Sequence, residues 1–275
     1  MAWRAQDPNN GAVDAPDTLA QGTSEGENYT VLRGPSEVPL LILCEHASRA
    51  LPPGVNLGVD EALLDSHWGW DRWAWDVLQR FAPRVGATTV GARLSRLLID
   101  LNRGPRDPTL IRTEAGGVSI PGNLGLAPAE VQRRIDRYYT PYHQAADREL
   151  RRLLERHPRE RIVFFTFHSF TGDFPGQDRD FDVGVLYDEH EDLAAGVKRA
   201  LAARGLRVRL NEPYSGFRGE IYSAAVHAAA HDVATFEIEL NQSVLEDPAR
   251  RQAMADVFAA IVPAIFPHLP ARPLR

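Results

Sequence analysis

Two histidines stand where apolar runs stop. The segment Arg161-Ile-Val-Phe-Phe-Thr-Phe-His168-Ser169 is apolar and aromatic up to an imidazole and a hydroxyl, and Pro39-Leu-Leu-Ile-Leu-Cys44-Glu45-His46 ends the same way. A third run, Val233-Ala-Thr-Phe-Glu237-Ile-Glu239, ends in carboxylates. Imidazole nitrogen and carboxylate oxygen are donors for zinc, and a catalytic zinc takes three protein ligands with one position left open for water. His46 and His168 are the first two candidates, and His67, Glu45 or Asp71 could supply the third. Glu237 and Glu239, two apart on a strand, share a face. A glutamate placed there can take a proton from water and return it to a leaving amine. The competing readings are structural: histidines held only by hydrogen bonds, and an edge strand whose carboxylates keep it solvated.

A second group, Ser95-Arg96-Leu-Leu-Ile-Asp100-Leu-Asn102-Arg103, sets two guanidiniums, an amide and a carboxylate around an apolar stretch. Arginine suits bidentate recognition of a carboxylate; alternatively Asp100 pairs with one arginine at a strand end. Asn211-Glu-Pro-Tyr214-Ser-Gly216 reads as a turn whose Tyr and Asn could line a pocket. Cys44 sits inside an apolar run and reads as packing rather than as a reactive thiol. Nucleophile-elbow, phosphate-loop and H-E-x-x-H patterns are all absent from the chain.

Residues of this kind need strands to carry them. Continuous apolar runs fit strands covered on both faces, and in open α/β sheets ligands sit beyond the strands' carboxyl ends. The pattern predicts strands at 39–45, 88–92, 161–168, 183–187, 207–210 and 233–240. A helix near 60–82 would place His67 and Asp71 on one face. A long helix over 128–157 would be kinked or broken at Pro141, and further helices fit 191–204, 220–231 and 247–266. The loop-rich stretch 104–127 has the length of a lid or binding loop. The alternation predicts an α/β fold: one domain with a mostly parallel mixed sheet covered by helices on both faces.

With 275 residues, 44% hydrophobic and 25% charged, the chain has the balance of a globular domain. Its net charge of -6 argues against nucleic acid or an anionic membrane as the main partner and favours a small molecule. A single cysteine excludes an internal disulfide, and neither a membrane span nor a signal peptide is legible, so the cytoplasm is the expected compartment. Residues 1–36, rich in Gly, Asn, Asp, Ser and Pro, are expected to form a flexible arm on the surface or on a neighbouring subunit of a homo-oligomer; 37–275 would be the catalytic domain.

Taken in order, Cys44-Glu-His46-Ala-Ser, His67-Trp-Gly-Trp-Asp71, Ser95-Arg-Leu-Leu-Ile-Asp100-Leu-Asn-Arg103, Pro141-Tyr-His143, Phe167-His168-Ser-Phe-Thr171, Gly184-Val-Leu-Tyr, Asn211-Glu-Pro-Tyr-Ser-Gly216 and Glu239-Leu-Asn-Gln resemble the N-formylglutamate amidohydrolase family, in a divergent branch. The resemblance spans about residues 38–265. It implies a fold similar to zinc carboxypeptidases and aspartoacylases, and hydrolysis of the formyl amide of N-formyl-L-glutamate to formate and L-glutamate, a step of histidine degradation. It implies a divalent metal, zinc first, held by His46, His168 and, as the third ligand, His67. Glu239 rather than Glu237 would be the catalytic base, and Arg96, Asn102 and Arg103 would bind the substrate. Two alternatives go with it: an aspartoacylase- or carboxypeptidase-like hydrolase of another N-acyl amino acid or small peptide, and a non-catalytic binder of N-acyl amino acids.

Overall fold

The structure is a computed structural model that describes residues 23–26, 28–35 and 38–266. Its elements in chain order are β1 (Thr23–Gly26), β2 (Tyr29–Leu32), β3 (Leu40–Cys44), the short α1 (Glu61–Leu64), α2 (Ala74–Val85), β4 (Thr88–Ala92), the small hairpin of β5 (Glu114–Ala115) and β6 (Val118–Ser119), and α3 (Pro128–Arg134). Then come α4 (Thr140–Leu154), β7 (Val163–Phe170), β8 (Val183–Leu186), α5 (Glu191–Ala202), β9 (Val208–Leu210), α6 (Tyr222–His231), β10 (Glu237–Asn241), α7 (Gln242–Leu245) and α8 (Pro248–Ile265). No described helix is long and apolar enough to cross a membrane.

Eight strands form one sheet in the order β1-β2-β4-β3-β7-β10-β8-β9. Its centre, β4-β3-β7-β10, is parallel; β2 joins β4 and β8 joins β10 antiparallel. Alternate residues of the central strands point to opposite faces, and the apolar ones feed two cores. Leu40, Ile42 and Cys44 of β3, Phe165 and Phe167 of β7, and Ile238 and Leu240 of β10 pack with α2, α5 and α8. Leu41, Leu43 and Phe164 face the other way, onto Tyr142, Ala146 and Leu150 of α4. Coverage on both faces explains the unbroken apolar runs, and the single α/β domain has the expected mostly parallel, helix-covered sheet. Phe81 of α2 stacks on Phe258 of α8 at 5.3 Å, so truncating it to alanine would cost about 3–5 kcal/mol.

Three local expectations change. The helix expected over 60–82 is two helices, α1 and α2, separated by turns that hold His67 and Asp71, so these two residues do not share a helix face. Ser66 Oγ donates to the Leu63 carbonyl as α1 ends, and a Cβ at Gly69 would lie 2.0 Å from the Leu64 carbonyl oxygen, so only glycine permits the turn. Trp73 then enters α2 from the left-handed region at φ 63°. At Pro141 the helix neither breaks nor stops: a wide π turn over Ile135–Tyr139, closed by the Thr140 N–H on the Ile135 carbonyl, joins α3 to α4. Residues 1–22 of the expected arm lie outside the described residues, but β2 is built into the sheet against β4, with Val31 buried and Arg33 paired to Glu149 at 2.7 Å. The sheet therefore begins before the boundary expected at 36.

Candidate active site

Because β4, β3, β7 and β10 are parallel, their carboxyl ends open on one edge, where a cavity of about 340 Å³ is lined by His46, Asp71, His168, Glu237 and Glu239 among others. Strand alternation aims these groups. Phe165 and Phe167 point to one face, so Thr166 and His168 point to the other; Ile238 and Leu240 do the same for Glu237 and Glu239. The parallel register then sets Glu239 beside His168 and Glu237 beside Thr166. On the far side of β10, Glu239 lies opposite Gly184, where a Cβ would press on the Glu212 carbonyl at 2.3 Å and on the Glu239 Cβ at 3.3 Å. Glu237 and Glu239 are thus on a central, buried strand, not a solvated edge.

At the centre, Asp71 Oδ2 lies 2.8 Å from His168 Nδ1 and 3.4 Å from His46 Nδ1. The backbone fixes this turn: the Asp71 N–H donates to the His46 carbonyl at 2.9 Å, and the Ser169 N–H donates to Asp71 Oδ2 at 3.3 Å. The outer nitrogens meet carboxylates. His46 Nε2 is 2.8 Å from Asp100 Oδ1, while His168 Nε2 is 3.0 Å from Glu45 Oε2 and 3.5 Å from Glu237 Oε2. The His168–Glu45 approach lacks hydrogen-bond alignment, leaving both Glu45 oxygens and His168 Nε2 buried without a hydrogen-bond partner among the described residues, as are His46 Nδ1 and Glu239 Oε2. Glu237 differs from Glu239 in accepting a hydrogen bond from Thr166 Oγ1 at 2.8 Å.

The electrostatics follow from burial and crowding. Burial pushes the Glu239 carboxyl well above the ordinary carboxylate range; His168 and Arg96 pull it back, while Asp71 and Glu237 push it further. Burial also raises Glu237. For His168, burial opposes the charged ring, but Glu237, Asp71 and Glu45 outweigh it and hold the pKa well above its usual value. Asp71 and Asp100 are also buried, yet His46 and His168 hold Asp71, and Arg96 and His46 hold Asp100, far below the carboxylate range.

The other residues singled out from sequence divide into those facing the cavity and those supporting it. His67 is on the wall, with Nε2 unpartnered and its pKa lowered by burial, Arg96 and Arg179. It stands outside the compact group of His46, Asp71 and His168, whose donor atoms all lie within 4.8 Å of one another. Arg96 also reaches the cavity, but its guanidinium donates to Asp100 Oδ2 at 2.8 Å and to Asp71 Oδ1 at 3.5 Å. Asn102 accepts the Ser223 N–H at 2.8 Å, tying the loop to the start of α6. Arg103 donates to the Asn102 carbonyl at 2.7 Å. Sequence reasoning passed over Arg112 and Arg179, which also line the cavity. Both lie on loops, where no periodicity marks a residue; the only signal was the length of the loops themselves.

Two histidines and several carboxylates gathered around a cavity at one sheet edge define an α/β protein with a buried, acid-rich site, and comparison makes the assignment specific. The N-formylglutamate amidohydrolase family model matches residues 38–245. An N-formylglutamate deformylase of Pseudomonas putida is 34% identical over 75% of this chain and 81% of its own. One from Pseudomonas aeruginosa is 33% identical over 61% of this chain, and the match spans 64% of that relative's length. Among solved structures, a gene product of Agrobacterium tumefaciens superposes with a TM-score of 0.79 at 28% identity, covering 88% of this chain and 96% of that one. An N-formylglutamate amidohydrolase from Ralstonia eutropha shares the fold, with a TM-score of 0.71 at 21% identity over 87% of this chain and 98% of that one. The chain belongs to the N-formylglutamate amidohydrolase family.

Proposed function

We propose that this protein hydrolyses the formyl amide of N-formyl-L-glutamate, giving formate and L-glutamate, with a divalent metal as cofactor. The observation that carries the reading is the buried His46–Asp71–His168 group with the unpaired Glu239 carboxylate beside it at the cavity floor. The donors fit a cation: His46 Nδ1 has no hydrogen-bond partner, and a nearby carboxylate oxygen faces the Nδ1 atoms of both rings. Asp71 therefore replaces His67 as our third ligand. A cation held there, zinc by the chemistry of its donors, would lower the pKa of water and polarise a carbonyl.

The chain's own groups do the rest. Asp100, at the outer nitrogen of His46, fixes the orientation of that imidazole, while the Glu45 carboxylate adds negative charge 3.0 Å from His168 Nε2. Glu239, held by β10 against Gly184, takes the proton from the attacking water and delivers it to the amide nitrogen as the C–N bond breaks. Its raised pKa suits a group that must hold and release that proton. Arg96 keeps Asp100 ionised and, 3.5 Å from Asp71 Oδ1, ties the Asp71 turn to it. Asn102 and Arg103 shape the wall toward α6. A cytoplasmic setting, a role in amino-acid breakdown and kinship to zinc carboxypeptidases and aspartoacylases belong to the same proposal; the parallel strand ends that deliver His46, His168 and Glu239 support the last of these.

Formate release from N-formyl-L-glutamate tests it. Chelated protein should be inactive and regain turnover with zinc, manganese or cobalt. Full activity in rigorously metal-free protein would overturn the metal dependence, and an absence of formate release with every metal would overturn the reaction.

A further inference from the structure

The cavity wall holds five arginines, Arg96, Arg103, Arg112, Arg179 and Arg218, and their partners sort them. Arg96 is neutralised by Asp100 and Asp71, and Arg218 is paired with Glu220 at 2.7 Å. Arg103 spends Nη1 on the Asn102 carbonyl and Nε on Thr109 Oγ1. Arg112 and Arg179 pair with no carboxylate among the described residues. A buried guanidinium without a counter-ion is costly, and a site can bear that cost when an anionic ligand supplies the charge.

Arg179 is only 5% exposed. Its Nη1 donates to the Thr171 carbonyl at 2.8 Å and its Nε to Gln177 Oε1 at 2.9 Å. The guanidinium carbon stands 4.3 Å from the Phe174 ring and 5.5 Å from the Tyr214 ring, so the head is clamped between aromatic faces while Nη2 makes no hydrogen bond among the described residues. Arg112 rests against Trp68 at 5.8 Å. Its backbone is pinned, because Asn123 Nδ2 donates both to the Arg112 carbonyl at 2.7 Å and to the Leu97 carbonyl at 2.8 Å, and buried Arg134 holds Asn123 Oδ1 at 2.7 Å. The two arginines come from the loops after β4 and after β7, strands that flank β3 in the sheet. His46 follows β3, so two preorganised cations approach the catalytic groups from loops on either side of it.

We propose that Arg179 and Arg112 are the two carboxylate anchors of the site, each taking one carboxylate of a dianionic N-acyl amino acid, and that Arg96 is a positioning residue instead. This deepens the deformylase reading and rests on it for the acyl chemistry, but the clamp itself is a binding claim. Turnover would be measured on N-formyl-L-glutamate, on its γ-amide N-formyl-L-glutamine, and on its α-amide. Arg179→Gln and Arg112→Gln should each lower kcat/KM on the diacid by about a hundredfold. Each variant should leave the rate on one amide nearly unchanged, the one lacking the carboxylate that arginine holds, and the spared amide should differ between the two variants. Arg179→Lys, keeping charge without the planar fork, should fall between. Unchanged thermal unfolding would show that the variants are folded. Equal losses on all three substrates, or none, would overturn the clamp.

Calorimetric binding of glutarate, a dicarboxylate without an amide, separates this from the reaction. If no formate is released but glutarate binds the wild type and binds both Gln variants at least tenfold more weakly, the clamp stands and the deformylase reading falls. If glutarate does not bind the wild type, or binds all forms alike, the clamp falls whatever the enzyme hydrolyses.

Discussion

At the strand ends, two imidazoles are surrounded by the carboxylates of Glu45, Asp71, Asp100, Glu237 and Glu239; between α4 and α6, three imidazoles share one. There His143 Nδ1 is 2.9 Å from His227 Nε2, His227 Nδ1 is 2.8 Å from Asp147 Oδ1, and His231 Nε2 is 3.0 Å from the same oxygen. Distances in the two clusters are alike, but their electrostatics are opposite. Excess negative charge holds His168 well above its ordinary pKa, whereas burial and then the neighbouring His227 bring His143 down to about 4. The first cluster opens on the cavity and has the charge balance of a site for a cation; the second does not line it, and its one carboxylate, Asp147, is already engaged by His227 and His231. Closeness of histidine to aspartate therefore does not define a site: the ratio of carboxylate to imidazole, and access to a cavity, decide.

The largest effects should come from breaking the first cluster. His168→Ala or Asp71→Asn should abolish stoichiometric metal in elemental analysis of the purified protein and drop formate release to background, while His227→Gln leaves both near wild type. Metal retained at full occupancy in both site variants would remove the contrast between the clusters. Next, Glu239→Gln should keep the metal and lose about 10²- to 10⁴-fold in kcat, the range of general acid–base catalysis. Glu237→Gln should lose less, since its carboxylate is already engaged by Thr166. A larger loss at Glu237 would exchange the two roles.

A smaller effect should follow from loosening the support. Asp100→Asn removes the charge behind His46 Nε2 and the main partner of Arg96. Metal affinity, read by competition with a chelator of known strength, should weaken by about 10- to 100-fold. No change would mean that the backbone alone orients His46.

How much of this was legible in the chain follows from which forces act locally. The runs ending at His46, His168 and Glu239 were readable because a strand covered on both faces must be apolar until it reaches the cavity, and the register then pairs what the ends carry. The turn holding Asp71 was not: His67 and Asp71 at a spacing of four look like one helix face, and only the tight approach of Gly69 to Leu64 ends α1. The commitment of Arg96 was half visible in its spacing from Asp100, but the second acid, Asp71, arrives from a distant turn. Arg112 and Arg179 were invisible because loops lack periodicity. His143 carried the reverse lesson: it stood in a family-like block, yet its nearest neighbours in space, His227 and Tyr139, make it structural.

That structural role gives the smallest effect on activity and a distinct one on stability. The folded-state pKa of His143 lies at about 4, below the ordinary 6.5, because burial and the charge of His227 disfavour protonation. A histidine kept neutral by the fold contributes its full stability above 6.5; as the pH falls from there toward 4, the unfolded chain takes up a proton that the folded one refuses, and stability declines. The loss should reach about 3 kcal/mol once the pH is below the folded value. Asp147, held below the carboxylate range by hydrogen bonds from His227 and His231, acts at lower pH in the same sense: its contribution is present above its unfolded value and fades as the pH drops through the depressed one. His143→Gln should therefore start somewhat less stable at neutral pH but flatten the decline between 6.5 and 4. Denaturant unfolding at a series of pH values reads this slope directly, with formate release near pH 7 within about threefold of wild type. An unchanged slope would mean that His143 takes up its proton as readily in the folded chain as in the unfolded one, and with it the contrast between a cluster rich in carboxylate and one rich in imidazole would fail.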